Sequence, residues 1–305
     1  MGLIMKKMVV YITGASGLVG RYLISDILDN TDYFVVAISS CPVVVKERYN
    51  NNRFTSIGYD EFFSLDTADS RKDKRVLVHC AFTRKNDPQE ARRSLDLAKT
   101  VFVKSVDLKM DGVLNISSRS LYKEPEEGEL NTEESELNLS GLITLGKYAV
   151  ELMAEALFAR AVIGYSNLRL ASVNELKMDN NMVRPLNVFV ENVIAGKPIR
   201  VVGGMQVMSF IDPRDVSSAI CSLLKVSPSQ WKNKYNIGTG WMCTDTLINM
   251  AKLFLNRGEK NGFKPVESDI EEKEVNQRAG LDISKITADT GWTPKISLTD
   301  MVDAL

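Results

Sequence analysis

The sequence predicts an α/β protein, a doubly wound parallel sheet with helices on both faces, followed by a smaller mixed α/β lobe. Three observations predict it. Short apolar runs alternate with helical stretches up to about residue 170. The first run leads directly into a glycine-rich turn, Thr13–Gly20. Beyond residue 171 the pieces become short and mixed, punctuated by Gly-Gly, Asp-Pro, Ser-Pro and Thr-Pro. The expected division is 1–170 for a nucleotide-binding lobe and 171–305 for a substrate lobe, with some later segments free to return to the first sheet.

The elements follow in order. Met8 to Ile12 (MVVYI) is a short apolar run of the kind that becomes a buried parallel strand. Strands are expected at 9–13, 34–39, 54–58, 76–81, 113–117 and 166–170. Helices are expected at 20–28, from about 88 to 108, and from about 140 to 161. Such alternation gives right-handed crossovers, and ligands then sit outside the carboxyl ends of the strands. The acidic segment 124–140, with Pro125 and Gly128, reads as a solvated loop, and the highly charged segment 259–278 as solvated surface.

The turn itself reads Thr13-Gly14-Ala15-Ser16-Gly17-Leu18-Val19-Gly20. Gly14 permits a tight turn, Gly17 leaves the backbone open to a pyrophosphate, and Gly20 lets the next helix pack on the strand. That helix continues through Tyr22, Leu23, Ile27 and Leu28, and its N-terminus aims free N–H groups and a positive dipole end at phosphates. A glycine turn without a ligand is the plainer alternative. The strand before it and the helix after it favour a dinucleotide, NAD or NADP.

Composition narrows the remaining classes. With 38 basic and 39 acidic residues the net charge is -1, so no basic excess points to nucleic acid or an acidic membrane. No apolar run approaches the roughly 20 residues that span a bilayer, and residues 1–7 (MGLIMKK) are too short for a signal peptide. Cys41, Cys80, Cys221 and Cys243 are far apart and read as buried thiols in a reducing, cytoplasmic setting, with neither a zinc site nor a disulfide framework. The single histidine, His79, excludes multi-histidine metal sites, and its place at the end of an apolar strand marks it as packed and hydrogen-bonded. No metal is expected.

These residues carry a family likeness. Thr13–Gly20 resembles T-G-x-x-G-x-x-G, and the strand ending VLVHCAF at Phe82 resembles V-I-H-x-A-A. Asn115-Ile-Ser-Ser-Arg-Ser-Leu-Tyr122 is similar to S-S-x-x-V-Y, and Leu168-Arg-Leu-Ala-Ser-Val173 to L-R-x-x-N-V. Gly196-Lys-Pro-Ile, Gly204–Ile211, Asp215-Val216, Tyr235-Asn-Ile-Gly-Thr-Gly240, Leu281-Asp-Ile-Ser-Lys285 and Gly291-Trp-Thr-Pro294 follow in the same order. Together they resemble the extended short-chain dehydrogenase/reductase family, the NAD-dependent epimerase/dehydratase group that acts on nucleotide sugars. The resemblance implies a Rossmann-type sheet with the cofactor against Gly14, Ala15, Ser16, Gly17, Leu18, Val19 and Gly20. It also implies contacts from Ser39, Ser40, Asp60 (at the adenine), Cys80, Ala81, Phe82, Ser117, Lys147 and Leu170.

In that family a hydride passes between a sugar carbon and the nicotinamide ring, a tyrosine moves the matching proton, and a lysine four residues later holds the ribose. Here the helix reads Leu142-Ile-Thr-Leu-Gly-Lys-Tyr-Ala-Val-Glu151: Lys147 and Glu151 match, but Ile143 stands at the tyrosine position. Tyr148 does not substitute simply, because neighbouring helix positions point about 100° apart. The family serine is matched by Ser118. The arginine that clasps the sugar nucleotide's diphosphate is replaced by Met208, and the asparagine after L-R-x-x by Ser172. Arg278 is either a replacement phosphate ligand or a surface arginine.

An isoleucine moves no proton, and general acid–base assistance contributes on the order of 10²–10⁴ in rate. Tyr122 beside Lys147 is the candidate replacement, its phenolate favoured by the nearby charge; packing is the alternative. Lys147 is also able to bind ribose hydroxyls with no catalysis. NAD readers carry an Asp or Glu at the end of the second strand, and here stands Ser39-Ser40-Cys41, which leans the choice toward NADP, with Lys46 or Arg48 either near the 2′-phosphate or ordinary surface charges. Two functions remain: an epimerase, dehydratase or reductase on a nucleotide sugar with an atypical proton donor, or an NAD(P)-binding protein without turnover that serves as sensor or subunit. The resemblance implies a homodimer through the two long helices, with Ala149, Leu152, Met153, Ala156 and Leu157 as the stripe that is buried either there or on the chain's own sheet.

Overall fold

A computed structural model describes residues 7–66, 73–175, 185–264, 266–271 and 277–303; residues 1–6 of the N-terminal segment lie outside them. The apolar runs of the first half become β1 (Met8–Thr13), β2 (Phe34–Ile38), β3 (Phe54–Ile57), β4 (Lys74–His79), β5 (Gly112–Ser118) and β6 (Gly164–Leu170). Between them lie α1 (Leu18–Asn30), α2 (Pro42–Lys46), α3 (Tyr59–Ser64), α4 (Pro88–Asp107) and α5 (Leu142–Ala161). The second half supplies β7 (Ser172–Val173), α6 (Pro185–Ile194), β8 (Pro198–Val202), β9 (Val207–Ile211), α7 (Pro213–Leu224) and β10 (Lys234–Ile237). It ends with β11 (Thr244–Thr246), α8 (Leu247–Lys260), β12 (Val266–Glu271), α9 (Ser284–Thr290) and α10 (Leu298–Asp303).

A seven-stranded parallel sheet runs in the order β10-β6-β5-β4-β1-β2-β3. The strand order reverses beside β1, and this opens the crevice at its carboxyl end. Alternation of side chains explains why the strands are apolar throughout. Val10 and Ile12 of β1 pack on one face with Leu23, Ile24 and Ile27 of α1 and Val216 and Ile220 of α7. Tyr11, one residue over, joins the other face with Phe102 of α4 and Ala154 and Phe158 of α5. The Phe102 and Phe158 rings meet edge-on at 5.1 Å, and each fully buried side chain contributes roughly 1.5–3 kcal/mol.

The smaller lobe has a three-stranded sheet, β11-β9-β7, and a parallel pair, β12-β8. Its core joins α6, α8 and α10 through Leu186, Phe189, Phe254 and Met301. α7 and β10 return to the large sheet, α7 against α1 and β10 beside β6.

Two expectations change. The loop 124–140 is not wholly solvated: Asn131 and Glu133 are buried, and the Glu133 carboxylate accepts the Asn236 N–H at 2.8 Å. A buried backbone donor on β10 needs that acceptor. The charged stretch 259–278 is exposed at residues 259–262, 264 and 277, as expected, and it also contains β12, whose backbone pairs with β8 despite its polar sequence VESDIE; residues 265 and 272–276 of it lie outside the described ones. Cys41 is exposed, whereas Cys221 and Cys243 are buried. No described helix is long and apolar enough to cross a membrane, and no described cluster of three or more His, Cys, Asp or Glu side chains is placed to hold a metal ion.

Candidate active site

The turn after β1 is shaped by backbone contact. Gly14 sits at φ +65°, in the left-handed region, and a Cβ there would lie 2.9 Å from the Ala81 nitrogen. A Cβ on Gly20 would lie 2.5 Å from the Gly14 carbonyl oxygen. The Gly17 N–H closes the turn onto that same carbonyl at 2.9 Å. Gly17 is then the N-cap of α1, with no side-chain cap and no acidic residue in the first turn. The helix therefore presents uncapped N–H groups and its positive end to an open cleft. That cradle fits a pyrophosphate, so the residues present suit an NAD-type dinucleotide.

The cleft has a volume of about 740 Å³. Its phosphate end is walled by Gly14, Ser16, Gly17, Leu18, Val19 and Gly20, and its other end by Ser117, Ser118, Ile143, Lys147, Met208 and Phe210. Cys80, Phe82 and Leu170 also line it. Ala15, Ser39, Ser40, Asp60 and Ala81 do not. Ala15 is buried beneath the turn, and Ala81 backs it through its main chain. Ser39 is buried, its hydroxyl accepting the Cys41 N–H at 3.1 Å, while Ser40 is exposed. Asp60 stands exposed in the first turn of α3, and the Gly14 N–H reaches the hydroxyl of its neighbour Tyr59 at 3.4 Å.

Helical geometry sets Ile143 and Lys147 one turn apart on the same wall. The Lys147 ammonium donates to the Ile116 carbonyl at 3.2 Å and lies 4.9 Å over the Phe82 ring. Burial, then the Arg84 charge, holds its pKa down to about 8. Ser118 caps a short 3-10 turn, Arg119–Leu121, by accepting the Ser120 N–H at 3.1 Å. Glu151 ends the same face of α5, locked to Arg169 of β6 by bonds of 3.0 and 2.6 Å.

The structure takes Tyr122 out of the cleft. The turn after Ser118 rotates it inward, where it is buried and its hydroxyl donates to Asn236 at 2.8 Å. The Arg169 guanidinium covers its ring at 4.8 Å. Burial pushes its pKa up to about 12, so the expected phenolate stabilised by Lys147 does not arise. His79 is buried as expected, sharing a 2.8 Å hydrogen bond with Thr13 through Nδ1, with its pKa lowered by burial to about 3. Arg278 bonds Glu127 at 3.2 Å and lines a separate cleft with Glu126, Glu129 and Trp241.

Sequence reasoning passed over Arg21, Arg84 and Glu175. Arg21 directly follows Gly20 and lines the cleft, where it forms an ion pair with Glu175. Tyr22 donates to the same carboxylate at 2.7 Å. The signal was Arg21's place one residue past the glycines; its partner is 154 residues away and is visible only in the fold. Arg84 enters from the loop after β4.

The model described as the NAD dependent epimerase/dehydratase family matches residues 10–238. No curated protein matches the sequence. Among solved structures, UDP-N-acetylglucosamine 4-epimerase from Bacillus cereus is similar with a TM-score of 0.79 at 15% identity, over 98% of this chain and 95% of that one. UDP-glucuronic acid 4-epimerase from Bacillus cereus, solved with UDP-glucuronic acid and NAD, has a TM-score of 0.78 at 19% identity over 97% of each chain. UDP-glucose 4-epimerase from Thermotoga maritima, solved with UDP-glucose, has a TM-score of 0.74 at 20% identity over 97% of this chain and 98% of that one. Identities this low show a shared fold. With the glycine cradle at the switch point of its sheet and a family model spanning residues 10–238, the chain belongs to the NAD-dependent epimerase/dehydratase family.

Proposed function

We propose that the protein binds NAD(P) along this cleft and acts on a nucleotide sugar as an epimerase, dehydratase or reductase that works without the family tyrosine. The observation that carries the reading is one continuous cleft joining the uncapped N-terminus of α1 to Ser118 and Lys147. When bound, the nicotinamide supplies two-electron redox chemistry at a sugar carbon. Gly14 to Gly20 bind its pyrophosphate, Ser118 orients the reacting oxygen, and Lys147 binds the nicotinamide ribose. The structural relatives solved with NAD and UDP-sugars support the substrate class.

The test is calorimetry with the four nicotinamide forms, then a panel of UDP-, GDP-, CDP- and dTDP-sugars followed by product analysis. Saturable binding and turnover of at least one sugar are expected. Failure of every nicotinamide form to bind would overturn the reading. The end of β2 carries Ser39 and Ser40 and no carboxylate, so NADPH is expected to bind more tightly than NADH.

A second reading, a cofactor-binding sensor or subunit without turnover, is favoured by Ile143 and Met208 together in one wall and by the burial of Tyr122. Cofactor binding with no turnover on the panel selects it.

The assembly we infer is a homodimer through α4 and α5. The inner face of α5 is made by Gly146, Val150, Ala154 and Phe158. Of the stripe singled out in the sequence, Leu152 is 48% exposed and Ala156 is also at the surface. Val103 of α4 and Leu145 of α5 are exposed as well. A second copy would cover them. Sedimentation should give a dimer that Leu152→Glu converts to monomer; wild-type monomer at micromolar concentration would remove the inference.

A further inference from the structure

The reacting end of the cleft poses a chemical problem. Among the described residues of its wall there is no tyrosine, histidine, aspartate or glutamate. Serine hydroxyls such as Ser118 do not ionise near neutral pH, and arginine does not lose its proton. Cys80 lines the cleft, but burial pushes its thiol up to about 12. Lys147 is left, projecting from α5 one turn beyond Ile143.

We propose that the ε-amine of Lys147 is itself the proton acceptor and donor at the reacting oxygen, a role that rests on the enzymatic reading above. Ile143 places no phenol between that amine and the substrate. One of its ammonium protons is held by the Ile116 carbonyl and its cationic face by the Phe82 ring, so the nitrogen is oriented without a carboxylate bonded to it.

The groups around Lys147 set its titration. Arg84, from the loop after β4, and burial both favour the neutral amine. Cys80, at the end of β4, and Glu151, one turn further along α5, favour the ammonium. Glu151 is tied to Arg169, which limits its pull. His79, buried against Thr13, stays neutral. The balance lies near pH 8, where an amine gives and takes protons with comparable ease.

In the oxidative direction, the neutral amine forms an N–H bond as the substrate O–H bond breaks. The O–H electron pair becomes the second carbon–oxygen bond. An oxidised nicotinamide, when bound, would be the two-electron oxidant that takes up the carbon-bound hydrogen with its electron pair. In the reductive direction the ammonium returns the proton to the oxygen.

Lys147→Arg separates this role from ribose binding, because arginine keeps the charge and the donors but cannot deprotonate. The proposal expects cofactor affinity within a few-fold of wild type and turnover lowered by about 10²–10⁴-fold. In wild type, the oxidative rate should rise with pH through about 8, and this limb should be absent in the variant. Ile143→Tyr in the Lys147→Arg background should restore turnover at least roughly tenfold, since a phenol then stands one turn from a cation. Independently of activity, NMR of isotope-labelled lysine should show the Lys147 amine half-titrated near pH 8 rather than near about 10.4.

Turnover that survives Lys147→Arg with an unchanged pH profile overturns the proposal and leaves the enzymatic reading standing. Titration of Lys147 above about pH 10 does the same. Cofactor binding without turnover, or no cofactor binding at all, removes the reading and the proposal together.

Discussion

The two ends of the main cleft are made of different material. At the glycine end the wall is backbone: Gly14 and Gly20 are required by the main-chain atoms around them, a Cβ on Gly17 would lie 3.1 Å from the Gly14 carbonyl oxygen, and the groups open to the cleft are uncapped amides. At the reacting end the wall is side chains, and Ile143, Met208 and Phe210 stand there as apolar groups around Lys147. A backbone site is kept as long as the turn is kept. A side-chain site changes its chemistry with one substitution. The family fold and its glycine turn therefore persist here, while Ile143 and Met208 make the other end of the cleft apolar.

The largest effect is expected where the reacting end is braced. Arg169→Met leaves the Glu151 carboxylate buried without its partner and should cost roughly 3–5 kcal/mol in urea unfolding. A change under about 1 kcal/mol would show that the pair does not hold α5 in place. Next comes Gly14→Val. The left-handed backbone alone costs roughly 1–3 kcal/mol, and the new Cβ meets the main chain of Cys80 and Ala81. Cofactor binding should vanish, whereas Ile143→Ala at the other end should leave it within a few-fold. Equal losses from both substitutions would break the contrast between the two ends.

Met208→Arg tests the reacting end by addition. A guanidinium at this position should tighten UDP binding by about tenfold, as a charge-assisted hydrogen bond does; calorimetric affinity unchanged from wild type would mean that the diphosphate does not pass beside β9. The smallest effect is a pH dependence at His79. Its folded-state pKa is lowered to about 3, so above the ordinary value of about 6.5 it is neutral in both states and has no effect. As pH falls below that value the unfolded chain takes up a proton that the folded one refuses, and stability declines. Between about pH 7 and 5.5 this should amount to roughly 1 kcal/mol in urea midpoints, lost in His79→Gln.

The strands were legible because a parallel sheet covered on both faces needs apolar residues at consecutive positions, as in Val76 to Val78. The glycine cradle was legible for a related reason: only glycine fits positions where a Cβ would strike the main chain. Tyr122 was not. Its type and spacing suit a proton donor, but the 3-10 turn at Arg119–Leu121 decides which way it points. Glu133 read as solvated because its acceptor role depends on the Asn236 N–H, 103 residues away. β12 was hidden because its pairing is made by main-chain atoms under a polar sequence.

The amino-acid order by itself determined the parallel sheet, the glycine turn after β1, the placing of Lys147 one turn after Ile143, and the absence of a tyrosine at that position. These follow from local geometry, periodicity and the size of a missing side chain. The tertiary structure alone decided that Tyr122 faces the core, that Arg21 pairs with Glu175, and that Arg84 stands near Lys147. Those outcomes depend on contacts between residues distant in the chain, which no local pattern records.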